Sequence, residues 1–122
     1  MSASILTVDD SASIRMTTKI ALTNAGYQVT EAVDGLDGLN KAKAGNFDLI
    51  VTDLNMPNMN GLEMIEALRQ SGAHTGVPII FLTTESDADM KTRAKSAGAT
   101  GWITKPFDPE TLVKIAKKVL GR

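Results

Sequence analysis

Four places in this sequence set a chemically competent polar side chain at the end of a short apolar run. Asp9 and Asp10 follow Ile5-Leu6-Thr7-Val8, and Asp53 ends the run that starts at Phe47. Thr83 ends Val77-Pro78-Ile79-Ile80-Phe81-Leu82, and Lys105 follows Gly101-Trp102-Ile103-Thr104. Singly, each has a plain explanation. Asp9-Asp10-Ser11 is turn and helix-cap chemistry, Thr83 is a strand residue, and Lys105-Pro106 is a turn. A lone Asp after a strand is also more often a turn or cap residue than a functional one. Jointly they are three carboxylates, a hydroxyl and an ammonium. Clustered carboxylates repel one another. A hard divalent cation resolves that repulsion, and Mg²⁺ suits a site with few carboxylates and several waters. Lys105 is a point charge able to bind an anion or pair with an acid. Metal, ammonium and hydroxyl are the apparatus of phosphoryl transfer, and a carboxylate is itself an accepted phosphoryl nucleophile.

Such a set meets only if the runs that carry it end at one edge. The first strand is Ile5 to Val8. Ile14, Thr18, Ala21, Leu22 and Ala25 then recur at helical spacing, with Gly26 as a stop. Tyr27 to Ala32 reads as a second strand, and Asp34-Gly35 as a turn. Leu36, Leu39 and Ala42 mark a weak second helix that ends at Gly45. Gly38 inside it costs about 1 kcal/mol relative to Ala, which loosens that helix. Phe47 to Asp53 is the third strand, apolar and branched enough to be buried on both faces. Leu62, Ile65 and Leu68 line a third helix after Asn60-Gly61, with Asn60 as its cap. Val77 to Thr83 is the fourth strand. Asp87 to Ala97 is the fourth helix, with Met90, Ala94 and Ala97 on one face. Gly101 to Thr104 is the fifth strand. Asp108 caps a last helix whose first residue is Pro109 and whose stripe is Leu112, Ile115, Ala116 and Val119.

Five βα units in strict alternation predict an α/β fold: a doubly wound, five-stranded parallel sheet with helices on both faces. In a parallel sheet the ends of strands 1, 3, 4 and 5 share one edge, and that edge is where ligands bind. The length of 122 residues suits a single domain over 1–122 and is too short for an eight-unit barrel. Hydrophobic residues at 43% suffice for a core. A net charge of -1, from 14 acids and 13 bases, gives no reason to expect nucleic acid or an anionic membrane as partner. With no cysteine, disulfides, thiolate chemistry and Cys-ligated metals are excluded. Met1-Ser2-Ala3-Ser4 lacks a basic n-region, and Ile5 to Val8 is too short for a signal peptide or membrane span. A cytoplasmic protein is expected. His74, the single histidine, lies among small residues and reads as a loop position rather than a catalytic one. Lys114, Lys117 and Lys118 read as a solvated helix face.

Val8-Asp9-Asp10, Asp53 with Met56-Pro57, Thr83, and Lys105-Pro106-Phe107 together resemble the receiver domain of bacterial two-component response regulators. The likeness runs along essentially the whole chain. The stretch Asp53 to Glu63 is most similar to the CheY-like chemotaxis regulators, which lack an output domain. The resemblance implies the flavodoxin-like strand order 2-1-3-4-5, of which CheY is itself a standing example. It implies that Asp53 accepts a phosphoryl group from a histidine kinase (CheA-like), with Mg²⁺ as cofactor. Asp10 and Asp53 would bind the metal through carboxylates, Asn55 through its backbone carbonyl, and Asp9 through water. Lys105 and Thr83 would each hold a phosphoryl oxygen. Trp102 matches an aromatic switch position that follows Thr83, and Lys105-Pro106 would be a cis bond. The output surface would be helix 4, strand 5 and helix 5, with a flagellar motor switch protein as target of a monomeric regulator. Glu85 and Asn55 flank the site and would tune dephosphorylation. Asn60 stands where the family often has Asp, Gly38 where Ala is common, and Trp102 where Tyr or Phe is usual.

Other readings predict other features. A phosphate sink or relay would share the site but not the motor. An Asp-nucleophile phosphatase commonly has a second acid two residues on, where this chain has Asn55. A flavin-binding fold wants Ser, Thr and Gly after strand 1, where two acids stand instead.

Overall fold

The computed structural model describes residues 3–54, 56, 59–72, 77–83, 88–96, 98–105 and 107–121, with only the backbone described at 88–91. Strands and helices alternate throughout. They are β1 (Ser4–Val8), α1 (Ala12–Asn24), β2 (Gln28–Ala32), α2 (Gly35–Ala44), β3 (Leu49–Asp53), α3 (Gly61–Gln70), β4 (Ile79–Thr83), α4 (Ala88–Ser96), β5 (Gly101–Thr104) and α5 (Pro109–Leu120). The strands form one parallel sheet in the order β2-β1-β3-β4-β5. The expected fold and strand order hold, with strands 2, 3 and 4 each starting one or two residues later than their apolar patterns suggest.

Composition explains which strands are central. Every residue of β3 and β4 is buried. A strand covered on both faces needs such a continuous apolar run. β2 alternates between exposed and half-buried residues until Ala32, as an edge strand should. Lys41 donates from Nζ to the Glu31 carbonyl oxygen at 2.6 Å and pairs with Asp37 at 3.3 Å, so α2 is tied to that edge.

The core lies in two layers. On one face, Leu6, Val8, Ile50 and Phe81 of the sheet meet Leu62, Met64, Ile65 and Leu68 of α3, Ala42 of α2 and Ala94 of α4. On the other, Ile5, Val51, Ile80, Leu82 and Ile103 meet Leu22 of α1 and Leu112 and Ala116 of α5. Asn60 and Glu63 form a reciprocal capping box at the start of α3, and Asp108 caps α5 ahead of Pro109. At the other end of α3, burial holds the Arg69 guanidinium below its usual pKa. Arg69 Nη2 donates to the Val77 carbonyl at 2.9 Å, which ties α3 to the entry of β4.

Helix 2 departs from the expectation. Leu36 does not face the core and is 48% exposed. The buried positions are Gly35, Gly38 and Ala42, and α2 is continuous across Gly38. A Cβ at Gly38 would lie 2.6 Å from Met64 Sδ and 2.9 Å and 3.0 Å from the two Val8 γ-carbons. Gly38 therefore lets α2 sit close on β1 and α3, and it does not loosen the helix. Propensity alone favours Gly38→Ala by about 1 kcal/mol. Overpacking against a β-branched residue of a buried strand outweighs that gain, so the substitution should destabilise by about 1–2 kcal/mol. Urea unfolding measures the sign, and a gain in stability would refute the packing account.

Candidate functional site

The register sets the site. Val8 pairs with Thr52, Asp53 with Leu82 and Thr83 with Thr104. Asp9 therefore leaves β1 level with Asp53. Thr83 stands one step beyond Asp53, and Lys105 one step beyond Thr83, with the Lys105 N–H donating to the Thr83 carbonyl at 2.8 Å. Strand ends read separately along the sequence thus arrive together at the carboxyl edge.

Asp9 is engaged by every polar group it has. Its N–H donates to the Ala32 carbonyl at 3.1 Å. Its carbonyl accepts from Arg15 Nη1 at 2.6 Å, its Oδ1 from the Ser11 N–H at 2.9 Å, and its Oδ2 from Lys105 Nζ at 3.1 Å. That full set of partners makes burial of the charge tolerable. Ser11, and neither acid, is the cap of α1: its hydroxyl accepts from the Ile14 N–H. Asp53 is buried, and its Oδ2 lies 3.3 Å from Lys105 Nζ. Asp10 is the exposed member of the three acids. Thr83 is buried at the end of β4.

One carboxylate oxygen from each of Asp9, Asp10 and Asp53 lies within 4.8 Å of the other two. Oxygens sharing one Mg²⁺ at about 2.1 Å stand roughly 3–4 Å apart, so the cluster fits a single small cation with modest adjustment. Lys105 is the ammonium shared by Asp9 and Asp53. Pairing with acids is one of the two uses open to it. Gly61 tightens the place where β3 leaves the sheet. Its N–H donates to the Leu54 carbonyl at 2.9 Å, and a Cβ there would fall 2.3 Å from the Asp53 carbonyl oxygen.

Trp102 is half-buried, pairs in register with Phe81, and packs on the layer formed by α3 and α4. Two-residue alternation puts Thr83 on the same sheet face as Phe81. Trp102 also borders a cavity of about 380 Å³ with Ile115, Lys118 and Val119 of α5. Lys114, Lys117 and Lys118 are exposed, as their reading as a solvated face requires. Asn55, Pro106, His74 and Glu85 fall outside the described residues, so the expected metal carbonyl, cis bond, loop histidine and flanking acid do too. Met90 and Ala97 likewise fall outside the described side chains of α4.

Residues 5–117 match the family model described as the response regulator receiver domain. The chain belongs to this family. The receiver is 37% identical over 119 residues to chemotaxis protein CheY-3 of Vibrio cholerae, covering 97% of this chain and 92% of that protein. It is 36% identical over 119 residues to chemotaxis protein CheY of Pseudomonas aeruginosa, covering 97% and 96%. The crystal structure of Vibrio cholerae CheY4 at low pH matches the receiver with a TM-score of 0.93 and 46% identity, covering 98% of this chain and 100% of that one. Among the described residues of the receiver, no helix is long and apolar enough to cross a membrane.

Arg15 and Gly61 were not singled out by sequence reasoning. Arg15 could have been found: it lies in the first turns of α1, and a long helical side chain leans back toward the helix start, here onto Asp9. Gly61 carries no signal beyond its turn-forming neighbours, because the approach it allows is made by the Asp53 carbonyl, eight residues back in the chain and brought close only by the fold. The charge balance makes two opposite predictions for the metal-free receiver. Lys105→Met leaves two buried carboxylates without their cation and should cost about 3 kcal/mol. Asp10→Asn removes repulsion and should raise the melting temperature. Calorimetric melts in a chelator measure both, and shifts of one sign would refute the balance.

Proposed function

We propose that this receiver is a phosphorylation switch of a two-component system, with Asp53 as its phosphoacceptor. The pairing of Lys105 with Asp53 at 3.3 Å and Asp9 at 3.1 Å, inside a three-acid cluster, carries the reading. A nucleophilic carboxylate must meet a phosphoryl group without being turned away by charge. An ammonium beside it and a cation among the acids supply the compensation. The donor is a phosphohistidine on a histidine kinase. An Asp53 carboxylate oxygen attacks phosphorus, the P–N bond breaks, and the imidazole leaves and takes up a proton. Mg²⁺, when bound, neutralises charge on the phosphoryl oxygens. Asp10 and Asp53 would hold it with carboxylates, Asn55 with its carbonyl and Asp9 through water. Lys105 moves from acid to phosphoryl oxygen, and the Thr83 hydroxyl donates to another. Attack of water on the phosphorus later breaks the bond between Asp53 Oδ and phosphorus, releases inorganic phosphate and returns Asp53 to the carboxylate. The receiver turns over no other substrate.

The new charge, about -1.5 to -2, is what the fold reports. Thr83 and Trp102 share a sheet face, and Trp102 borders a cavity against α5. Movement of Thr83 would therefore bias how Trp102 is held, and with it the surface of α4, β5 and α5. The relatives bear the names of chemotaxis proteins. That likeness supports reading this chain as a cytoplasmic chemotaxis receiver, phosphorylated by a CheA-like kinase and read by a protein such as the flagellar motor switch.

Acetyl phosphate should add one phosphoryl group to the protein in Mg²⁺ and none in a chelator. Asp53→Asn should take up none, as read by intact-mass spectrometry, and equal labelling of that variant would sink the assignment. For the report to the surface, beryllofluoride with Mg²⁺ should shift the emission of Trp102, the single tryptophan. An unchanged spectrum at demonstrated saturation would rule out signalling through Trp102.

A further inference from the structure

Asp10 presents a carboxylate that no described residue holds. It is exposed and makes no side-chain hydrogen bond or ion pair among the described residues. Its two flanking peptide groups, by contrast, are both fixed. The peptide after it gives the Ser11 N–H to Asp9 Oδ1 at 2.9 Å. The peptide before it offers the Asp9 carbonyl to Arg15 Nη1 at 2.6 Å. Arg15 is steadied in turn from the edge strand, with Nε 3.9 Å from Glu31 Oε1, and Glu31 also lies 3.6 Å from Lys19 Nζ. Its side chain is well covered, at 17% exposure, which limits the conformations it can take.

We propose that Arg15 is a positioning residue for the metal site: it locks the peptide joining Asp9 to Asp10 and so sets where Asp10 offers its carboxylate. The inference rests on the phosphoryl-transfer reading above. An exposed Asp on a free peptide would sample several orientations, and each must be given up when a cation binds. Hydrogen bonds behind metal-binding residues orient them, and their loss typically lowers metal affinity about 10–100-fold. Arginine suits the task because its planar fork reaches the carbonyl with one nitrogen and faces Glu31 with another, whereas lysine has a single ammonium. The positioning account and a pure charge account also differ in sign. A guanidinium close to three acids repels an incoming cation. If charge were all that mattered, Arg15→Gln would bind Mg²⁺ more tightly. If positioning dominates, it binds more weakly.

The test is calorimetric titration of Mg²⁺ into the wild-type receiver, Arg15→Gln and Arg15→Lys, with metal-free melts of each. The wild type should bind. Arg15→Gln should bind about tenfold more weakly while still melting cooperatively, and Arg15→Lys should recover part of the loss. Arg15→Gln binding as tightly as wild type, or more tightly, would overturn the inference, even with a lowered melting temperature. Should Arg15→Gln fail to melt cooperatively, Glu31→Gln decides, because it keeps the guanidinium and removes its tether. Weaker binding there supports the inference and unchanged binding overturns it. A wild-type protein that takes up no Mg²⁺ would instead bring down the phosphoryl-transfer reading, and this inference with it.

Discussion

Three carboxylates and one ammonium meet at the carboxyl edge of the sheet, and their mutual charge constrains everything around them. Asp9 and Asp53 are buried, where an unpaired charge is costly, and Lys105 serves both. Asp10 stays at the surface, where water can solvate it. The arrangement is polarised: the inner acids are compensated and the outer one is not. A cation, on the proposed reading, would enter from solvent at Asp10 and complete the compensation that Lys105 begins. On the proposed reading, a phosphoryl group then changes which partner Lys105 prefers.

Holding such a site takes packing as well as charge. β3 and β4 are enclosed on both faces, so the strands that carry Asp53 and Thr83 have little freedom to shift. Gly61 lets the start of α3 fold back onto the Asp53 carbonyl, and Gly38 lets α2 press on Val8, one residue before Asp9. Both acids are thus backed by close contacts made where a side chain is missing. On the β5 and α5 flank, a cavity of about 380 Å³ lies beside Trp102. An enclosed chemical edge beside a flank that holds a cavity is a reasonable division for a module that, on the proposed reading, reacts at one place and is read at another.

Fold and site were largely legible in the sequence because both follow from local signals. Apolar runs mark the strands, Asp, Asn and Pro mark helix starts, and the strand-ending polar residues need only the parallel-sheet rule to converge. What was not legible depends on approach between distant segments. Leu36 looked like a core residue because periodicity counts large side chains, whereas α2 buries its glycines and Ala42. Gly38 looked like a weakness because propensity sees only the helix that contains it, and the decisive neighbours, Val8 and Met64, come from β1 and α3. Arg15 was not singled out in the sequence at all. Its role depends on the carbonyl it reaches and on Glu31 across the edge strand.

The link between Lys41 and the Glu31 carbonyl has a consequence for solubility. β2 lies at the rim of the sheet, where free carbonyls and N–H groups invite a strand from another molecule to add on. Lys41 occupies one of those carbonyls, and an ammonium parked on the rim repels the like-charged rim of a second copy. Arg15 and Lys19 crowd the Glu31 side chain at the same point. On the proposed reading, Glu31 thus serves two neighbours: its side chain steadies Arg15 behind the metal-binding turn, and its carbonyl holds the ammonium that guards the open side of the sheet.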